Sequence, residues 1–254
     1  RELRNRGYFE GRAEPRLMEL LDLVALGTVA DVAQLRGINR AFVSQGLRIM
    51  GQRQNIGLVA LAQASRLTRD PLCSDLGFAL GPRINAGGRV GKSDLGVRLL
   101  TTTDPEEARA IAAELDRLNE ERRAIEAAVQ EQAEQLAESQ SNRAIVQVTG
   151  TGWHPGVIGI VAGRLKEKLK RPAIVIALDE DGTGKGSGRS ISGVDLGAAV
   201  LAAKDTGLLA AGGGHAMAAG LTVMQGRIEE LHEFLDQRLS ADVTHASAER
   251  SLLL

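Results

Sequence analysis

Two glycine-rich segments near the end of the chain carry side chains that can hold an anion. Glycine lets backbone N–H groups approach a ligand closely, and a neighbouring guanidinium, hydroxyl or imidazole adds a donor. Such segments occur in phosphate sites, and also in structural turns whose donors bond local carbonyls. The residues concerned are Ser187, Arg189 and Ser190 in the segment 184–190, and Gly212, Gly213, Gly214 and His215 in the segment 212–220.

A third candidate for anion binding is the start of the helix predicted over residues 156–170, because the first turn of a helix presents free N–H groups. Trp153 and His154 directly precede this helix. Trp153 either stacks a nucleobase or belongs to the core, and the sequence leaves both interpretations open. Together the three features predict phosphate binding by the last part of the chain.

Asp31 ends an apolar segment, which is an unusual position for a carboxylate without a partner. It is either the N-cap of the next turn or a metal ligand at the edge of a core. Both interpretations remain open at the level of the sequence.

The segment 81–93 combines glycines with cationic and amide side chains and predicts a flexible loop. Its Gly-Lys-Ser ending is similar to a P-loop, but Ala86 stands where that motif has glycine, and no apolar strand precedes it. We therefore exclude nucleoside triphosphate binding here. The loop carries Arg83, Asn85, Arg89 and Lys92. It either contacts a phosphate backbone, lines an active site or is merely solvated.

The sequence holds no complete catalytic set. The four histidines have no zinc spacing, and Cys73 is the only cysteine, which excludes an internal disulfide. A dinucleotide-binding fingerprint after the strand at 144–148 fails because Pro155 occupies its third glycine position.

Charge is distributed unevenly along the chain, although the formal net charge is only −1. Residues 1–103 hold fifteen Lys and Arg against nine Asp and Glu, whereas residues 104–139 hold four against eleven. Residues 140–240 are nearly balanced, with eleven against ten. The acidic excess is therefore confined to one segment, and a nucleic-acid partner for the rest of the surface is not excluded.

Hydrophobic periodicity predicts helices in the first 103 residues. A densely apolar helix covers residues 15–31 with a stop at Gly27, and further helices cover residues 39–50, 56–64 and 70–80. The pattern of residues 104–139 predicts one helix, about 50 Å long, that connects two lobes. Its partly apolar face is interrupted by Arg122 and Gln132.

The last lobe alternates strands with helices, which predicts an α/β domain with a mixed sheet. The strands are expected at residues 144–148, 173–178, 185–191 and 221–224, and the helices at 156–170, 195–204 and 227–239. The tail from Ser240 is expected to be irregular. Because the chain lacks an initial Met and ends in Leu252–Leu254, we expect a piece of a longer protein.

No apolar run is long enough for a membrane span, and no leader peptide is recognisable at the start. These features and the single cysteine predict a cytoplasmic protein without a membrane partner.

Five segments taken together resemble the bacterial RecJ family of the DHH/DHHA1 phosphoesterase superfamily. They match in order over nearly the whole chain, and their specificity lies in the combination. The segments are Leu26–Val32, Gly81–Arg89, Gly156–Arg164, Gly186–Ser190 and Gly212–His215.

The resemblance implies a single-strand-specific 5′-to-3′ DNA exonuclease of repair and recombination that uses two Mn²⁺ or Mg²⁺ ions. Asp31 would be the metal ligand of the family's fourth motif. The resemblance also implies single-stranded DNA as a partner, with a single-stranded-DNA-binding protein and a helicase as candidate partners. The implied domains are the end of a DHH catalytic lobe at 1–103, a connecting helix at 104–141, a DHHA1 lobe at 142–240 and a tail at 241–254.

The implied DNA contacts fall on the candidates already identified from the residues. They are Arg83, Asn85 and Arg89 near the DNA path, with Ser187, Arg189, Ser190 and the segment Gly212–His215 on the strand backbone; Trp153 and His154 are further candidate contacts.

The chain departs from the family pattern because the first three catalytic motifs and the later oligonucleotide-binding barrel are absent. The two-metal site is therefore expected to be incomplete, and we expect this chain to bind DNA without cleaving it. Two alternatives stay open: a phosphodiesterase of the same superfamily for short oligonucleotides or cyclic dinucleotides, and a non-catalytic nucleic-acid-binding module.

Overall fold

The computed structural model describes residues 1–250, with side chains through residue 248. The chain divides into two compact units, residues 1–120 and residues 121 onward. Each unit has its own apolar core, so each is described by itself.

Unit 1 is helical, as the sequence predicted. In chain order it contains α1 (Glu2–Asn5), a 3₁₀ turn (Leu17–Leu20), α2 (Leu21–Ala30), α3 (Gly37–Gly51), α4 (Ile56–Ala64), α5 (Cys73–Asp75), a π-helical turn (Leu76–Leu80), α6 (Gly81–Val90), α7 (Leu95–Thr101) and the first half of α8 (Pro105–Glu138).

The predicted helix over residues 56–64 is confirmed as α4, and Asn55 caps it by accepting the N–H of Leu58 at 2.9 Å. Other boundaries differ from the predictions. Helix α2 continues through Gly27 to Ala30, because one helical glycine costs only about 1 kcal/mol. The helix expected from residue 70 begins at Cys73, where Asp75 accepts the Leu72 N–H at 2.7 Å.

The segment 81–90 was predicted as a loop and is the helix α6. Its glycines serve close packing instead of flexibility. A Cβ at Gly81 would lie 3.0 Å from Ala30 Cβ, and a Cβ at Gly87 would lie 3.1 Å from Leu115. Tertiary contacts with α2 and α8 therefore override the poor helix propensity of the segment.

The predicted long helix is confirmed as α8, with 34 residues. Its first half supplies Ala108, Ile111 and Leu115 to the core of unit 1, and its second half supplies Val129 and Ala133 to a core of unit 2. The acidic residues at its start lie at the positive end of the helix dipole.

Unit 2 is an α/β domain. After the second half of α8, it contains β1 (Val146–Thr151), α9 (Pro155–Leu169), β2 (Ala173–Leu178), β3 (Thr183–Arg189), α10 (Leu196–Asp205), β4 (Ala211–His215), β5 (Ala218–Met224), a 3₁₀ turn (Gln225–Arg227) and α11 (Ile228–Arg250).

The five strands form one sheet in the order β1-β2-β3-β5-β4. Strands β1 and β2 are parallel and joined through α9, and the remaining pairs are antiparallel, so the predicted mixed sheet is confirmed. Helices α10 and α11 pack on one face. Helix α9 and the second half of α8 cover the β1–β2 part of the other face.

The strand predicted over residues 185–191 is confirmed as β3, whereas the segment 212–215, which was expected to be a loop, is also a strand. Residues 184–189 lie within β3 at the centre of the sheet, and residues 212–215 lie within β4 at its edge. The tail was expected to be irregular from Ser240, but α11 continues to Arg250. Leu252–Leu254 lies outside the described residues.

Candidate nucleic-acid interface

Strand β3 alternates glycine with polar side chains, and the alternation separates two faces of the sheet. Glycines at 186 and 188 point into the core, where a Cβ would lie 2.5 Å from Leu221 and 2.7 Å from Leu196 respectively. Because successive residues of a strand point to opposite faces, the polar residues between them lie on the other face. These residues are Lys185, Ser187 and Arg189.

The register across β3, β5 and β4 extends this face to the edge of the sheet. Directly opposed residues of paired strands share a face. Arg189 is opposite Ala218, which is opposite His215, and Ser187 is aligned in the same way with Gly220 and Gly213. We call the resulting surface the polar sheet face; its polar residues are Lys185, Ser187, Arg189, Thr222 and His215.

The floor of the polar sheet face is nearly bare backbone. Gly213 and Gly220 are exposed, and no atom lies within 4 Å of the position that a Cβ would take at either one. Arg189 and His215 stand on either side of this floor, two strands and therefore about 10 Å apart. A ligand can thus approach main chain between a cation and an imidazole.

Arg189 is half-buried and held by short-range contacts. Its Nη1 donates to Ser187 Oγ at 3.1 Å and to the Gly188 carbonyl at 2.8 Å. On α9, a Cβ at Gly159 would lie 3.0 Å from both Arg189 Nη2 and Ser187 Oγ. Helix α9 therefore needs glycine at this position for the Arg189–Ser187 pair to lie against it.

His215 ends β4 and is exposed. Its Nδ1 accepts the backbone N–H of Met217 at 3.3 Å, which leaves Nε2 as the protonated, donating nitrogen of the neutral ring. Helix α10 approaches the same residue from the core side, since a Cβ at Gly197 would lie 2.8 Å from the His215 backbone. The strand end is thereby fixed while the ring remains on the surface.

Ser190 does not belong to the polar sheet face, which corrects its assignment as a DNA contact. It is 1 % exposed, and its Oγ donates to the Val194 carbonyl at 2.8 Å. The hydroxyl stabilises the turn after β3 and is not available to a ligand.

Trp153 is a core residue, so the base-stacking interpretation does not fit. It is 7 % exposed, and a Cβ at Gly150 would overlap its indole ring. Its Nε1 donates to Gln132 Oε1 at 2.7 Å, which gives Gln132 on α8 a structural role.

His154 caps α9 instead of leaving its first turn open. Its Nδ1 accepts the Gly156 N–H at 3.0 Å, and its carbonyl accepts the Val157 N–H at 3.1 Å. The two N–H groups at the helix start are therefore already used, which weakens the case for an anion site there.

In unit 1, Asp31 is exposed at the C-terminal end of α2, not at an N-cap. A carboxylate there lies at the unfavourable end of the helix dipole. Within the described residues its carboxylate has no hydrogen bond or ion pair. Asp31 lines an open cleft of this unit together with Gly81 and Asn85.

The three candidates on α6 have different environments. Arg83 is largely buried, with Nε donating to Asp116 at 2.7 Å and Nη1 to the Ala79 carbonyl at 2.8 Å, so it holds α6 to α8. Asn85 and Arg89 are exposed and lie four residues apart, which places them on one face of the helix. Asn85 thus shares the cleft of Asp31, whereas Arg83 does not line it.

The described residues contain no group of three or more His, Cys, Asp or Glu side chains placed to hold a metal ion. None of the helices in this part of the chain has the length and apolarity that a membrane span requires.

Sequence reasoning missed Gly159, Lys185 and Thr222 as parts of this surface. Lys185 Nζ lies 3.1 Å from Thr222 Oγ1 on the neighbouring strand. The period-two alternation of glycine with Lys185, Ser187 and Arg189 was the signal that predicts a strand with one polar face. The position of Gly159 follows only from the packing of α9 on the sheet.

Comparisons with known proteins agree with this architecture. Residues 140–241 match the family model of the DHHA1 domain. The chain is 48 % identical over 243 residues to the single-stranded-DNA-specific exonuclease RecJ of Dickeya dadantii, and 45 % identical over 254 residues to that of Escherichia coli. These matches cover 91 % and 95 % of this chain, but only 42 % and 43 % of the two relatives.

Crystal structures of RecJ from Thermus thermophilus in complex with Mn²⁺ and with Mg²⁺ are also similar. Each aligns with a TM-score of 0.79 at 34 % identity over 91 % of this chain. The alignment covers 34 % and 35 % of those chains. The chain therefore spans less than half the length of these relatives.

Proposed function

We propose that this chain, a homologue of the RecJ exonucleases along nine tenths of its length, is part of a single-stranded-DNA-specific 5′-to-3′ exonuclease. In this role its DHHA1 domain holds the backbone of the single strand on the polar sheet face. The observation that carries the proposal is the placement of Arg189, Ser187 and His215 around an open glycine floor.

The chemistry of this face suits a phosphodiester backbone. A guanidinium and an imidazole N–H offer charge-assisted and neutral donors to phosphate oxygens, and the glycines allow the strand to lie close to main chain. Most of the offered contacts are to the backbone, so the face would hold a strand without reading its sequence.

The metal chemistry of the intact exonuclease would be phosphodiester hydrolysis assisted by two Mn²⁺ or Mg²⁺ ions. Asp31 is the residue of this chain that would supply a ligand, consistent with its exposed carboxylate in a cleft. The described residues do not fit a two-metal site by themselves, because they offer no group of three potential ligands. We therefore derive no cleavage step from this chain and propose that it binds single-stranded DNA without hydrolysing it.

We also propose a biological setting for the intact protein. The intact protein would act in DNA repair and recombination in the cytoplasm. A helicase that exposes single strands and a single-stranded-DNA-binding protein are the partners this role would require.

A binding and cleavage experiment on the purified chain tests the proposal. Fluorescence anisotropy with a labelled oligonucleotide should show binding to the single strand and weaker binding to the same sequence as a duplex. Incubation with Mn²⁺ should leave the single strand intact. Absence of single-strand binding would contradict the proposed interface, and Mn²⁺-dependent degradation that is lost in Asp31→Ala would contradict the proposed inactivity.

A further inference from the structure

Unit 1 contains a buried carboxylate that the proposed function does not use. Asp22 lies in the first turn of α2 and is 4 % exposed. Buried aspartates are normally paired with a cation or fully hydrogen-bonded. The hydrogen bond found for this side chain is local, from the Leu23 N–H to Oδ1 at 2.7 Å, and among the described residues no cation forms an ion pair with it.

Asp22 lines a cavity of about 40 Å³ between α2, α3 and α4. A single water needs about 10–15 Å³ by the same measure, so the space suits a head group of a few heavy atoms. Much of the wall is apolar, and its apolar side chains include Met50, Leu58, Val59 and Leu67.

The other charged groups that line the cavity are already paired. Arg53 Nη2 lies 3.3 Å from Asp70 Oδ1, and Arg69 makes two bonds to the Asp75 carboxylate at 2.5 and 3.2 Å. Each of these arginines therefore pairs with its own aspartate, and neither forms an ion pair with Asp22.

Two side-chain amides line the cavity, those of Asn55 and Gln63, and the Asn55 amide is engaged in other hydrogen bonds. Asn55 accepts the Leu58 N–H at 2.9 Å and donates to the Leu100 carbonyl at 3.1 Å. It can therefore not turn its amide group toward Asp22 without losing the cap of α4. Burial correspondingly raises the pKa of the Asp22 carboxyl above its ordinary value.

We propose that this cavity binds a primary ammonium group on a short alkyl stem, with Asp22 as its counter-ion. The ammonium donates to the carboxylate, and the methylenes pack against the apolar wall. The same chemistry is available from a free alkylamine and from a lysine side chain presented by another polypeptide.

Thermal-shift and NMR titrations of the 254-residue chain with n-butylammonium chloride test this site. We expect a saturable rise in melting temperature and saturable shifts of residues around the cavity. The neutral analogue 1-butanol should give neither response. In Asp22→Asn the affinity should fall at least tenfold, whereas Asp205→Asn, an exposed aspartate of unit 2, should bind as the parent does.

A second titration with N-acetyl-lysine methylamide distinguishes the two sources. Binding at least as tight as that of n-butylammonium supports a lysine side chain as the occupant, and binding of the free amine alone supports a small-molecule amine. Equal affinity of parent and Asp22→Asn, or no saturable binding by a parent protein that is folded by NMR, would overturn the proposal.

Discussion

The guanidinium of Arg189 is held by hydrogen bonds to the Ser187 hydroxyl and the Gly188 carbonyl. Ser187 supports Arg189 from within the same strand, and Gly159 leaves room for both. His215, two strands away, has its Nδ1 bound to backbone and its Nε2 on the surface. These residues are positioned by local hydrogen bonds and not by core packing, which is why their substitution should affect binding more than folding.

Arg189→Ala and His215→Ala should each weaken single-stranded DNA binding by about 1–3 kcal/mol, the usual loss when a charged or buried hydrogen bond is removed. Their melting temperatures should change little, since neither side chain is part of a core. Anisotropy titrations and thermal melts of both variants measure these effects. The control is Lys204→Ala, which removes one positive charge from the exposed surface of α10. Lowered melting temperatures with unchanged affinity would instead assign both residues to structure.

Asp22→Asn should raise thermal stability near neutral pH. Burial raises the folded-state pKa of Asp22 above the ordinary value of 3.8, so the folded protein is penalised once the group ionises. The parent should therefore lose stability relative to Asp22→Asn as pH rises through the interval above 3.8, and the two should converge below it. Melting curves of both proteins across this range provide the measurement, and a variant less stable than the parent at neutral pH would contradict the assignment.

Trp153→Phe should destabilise unit 2 without changing DNA affinity. The substitution leaves Gln132 on α8 without its indole donor, and this unpaired group alone should lower the free energy of unfolding by about 1–3 kcal/mol. The substitution also creates a void in the core. Because Trp153 is the only tryptophan, its fluorescence in the parent should be protected from iodide and insensitive to added DNA. Quenching by a bound single strand would restore the base-stacking interpretation.

At the scale of elements, glycine has a different structural role on each face of the sheet. On β3 the glycines allow Leu221 and Leu196 to close over the strand from the core side. On β4 and β5, Gly213 and Gly220 face outward with open space above them. The glycines of β3 are required by core packing. Gly213 and Gly220 carry no side chain on the polar sheet face, so a ligand can reach the backbone there.

Gly186→Ala and Gly220→Ala test this difference on neighbouring strands. At Gly186 the new methyl would lie 2.5 Å from Leu221, so overpacking should cost about 1–3 kcal/mol of stability. At Gly220 the methyl meets no atom within 4 Å, so stability should be kept or slightly improved while single-strand affinity falls. Melts and anisotropy titrations of the pair should therefore give opposite patterns; equal destabilisation of both would contradict the two-face description.

The elements that the sequence predicted well are those with strong local signals. The long helix α8 has an acidic first turn, β2 is a continuous apolar run, and Asp195 caps α10 by accepting the Ala198 N–H at 2.9 Å. Their local propensity and their tertiary environment agree, so pattern alone locates them.

The elements that the sequence misplaced are glycine-rich. α6 and β4 have poor local propensity and form because distant residues pack closely on their glycines, whereas the glycine-broken strand β3 was expected. For the candidate site, the residue types of Arg189, Ser187 and His215 marked them as candidates, but their common face required the register of three strands. The burial of Ser190 and Trp153 depends on non-local packing that no short motif encodes.

At the scale of the whole molecule, the charge distribution bears on how DNA can be held. The described part of unit 2 from residue 140 is nearly neutral, and the acidic excess lies on residues 104–139. A neutral domain with few cationic side chains on its polar face can neutralise only a few phosphates, so the salt dependence of binding should be shallow. The chain spans 42 % of the length of the relative from Dickeya dadantii.

The salt dependence of single-stranded DNA binding by the parent and by Arg189→Ala tests the central claim most directly. If the polar sheet face holds the phosphate backbone, log K should fall linearly with log salt, with a slope of about −0.7 per phosphate contact. Arg189→Ala should make that slope shallower by about 0.7, while Lys204→Ala should leave it unchanged. An affinity that does not vary with salt, or an identical slope in Arg189→Ala and the parent, would contradict backbone recognition by this face.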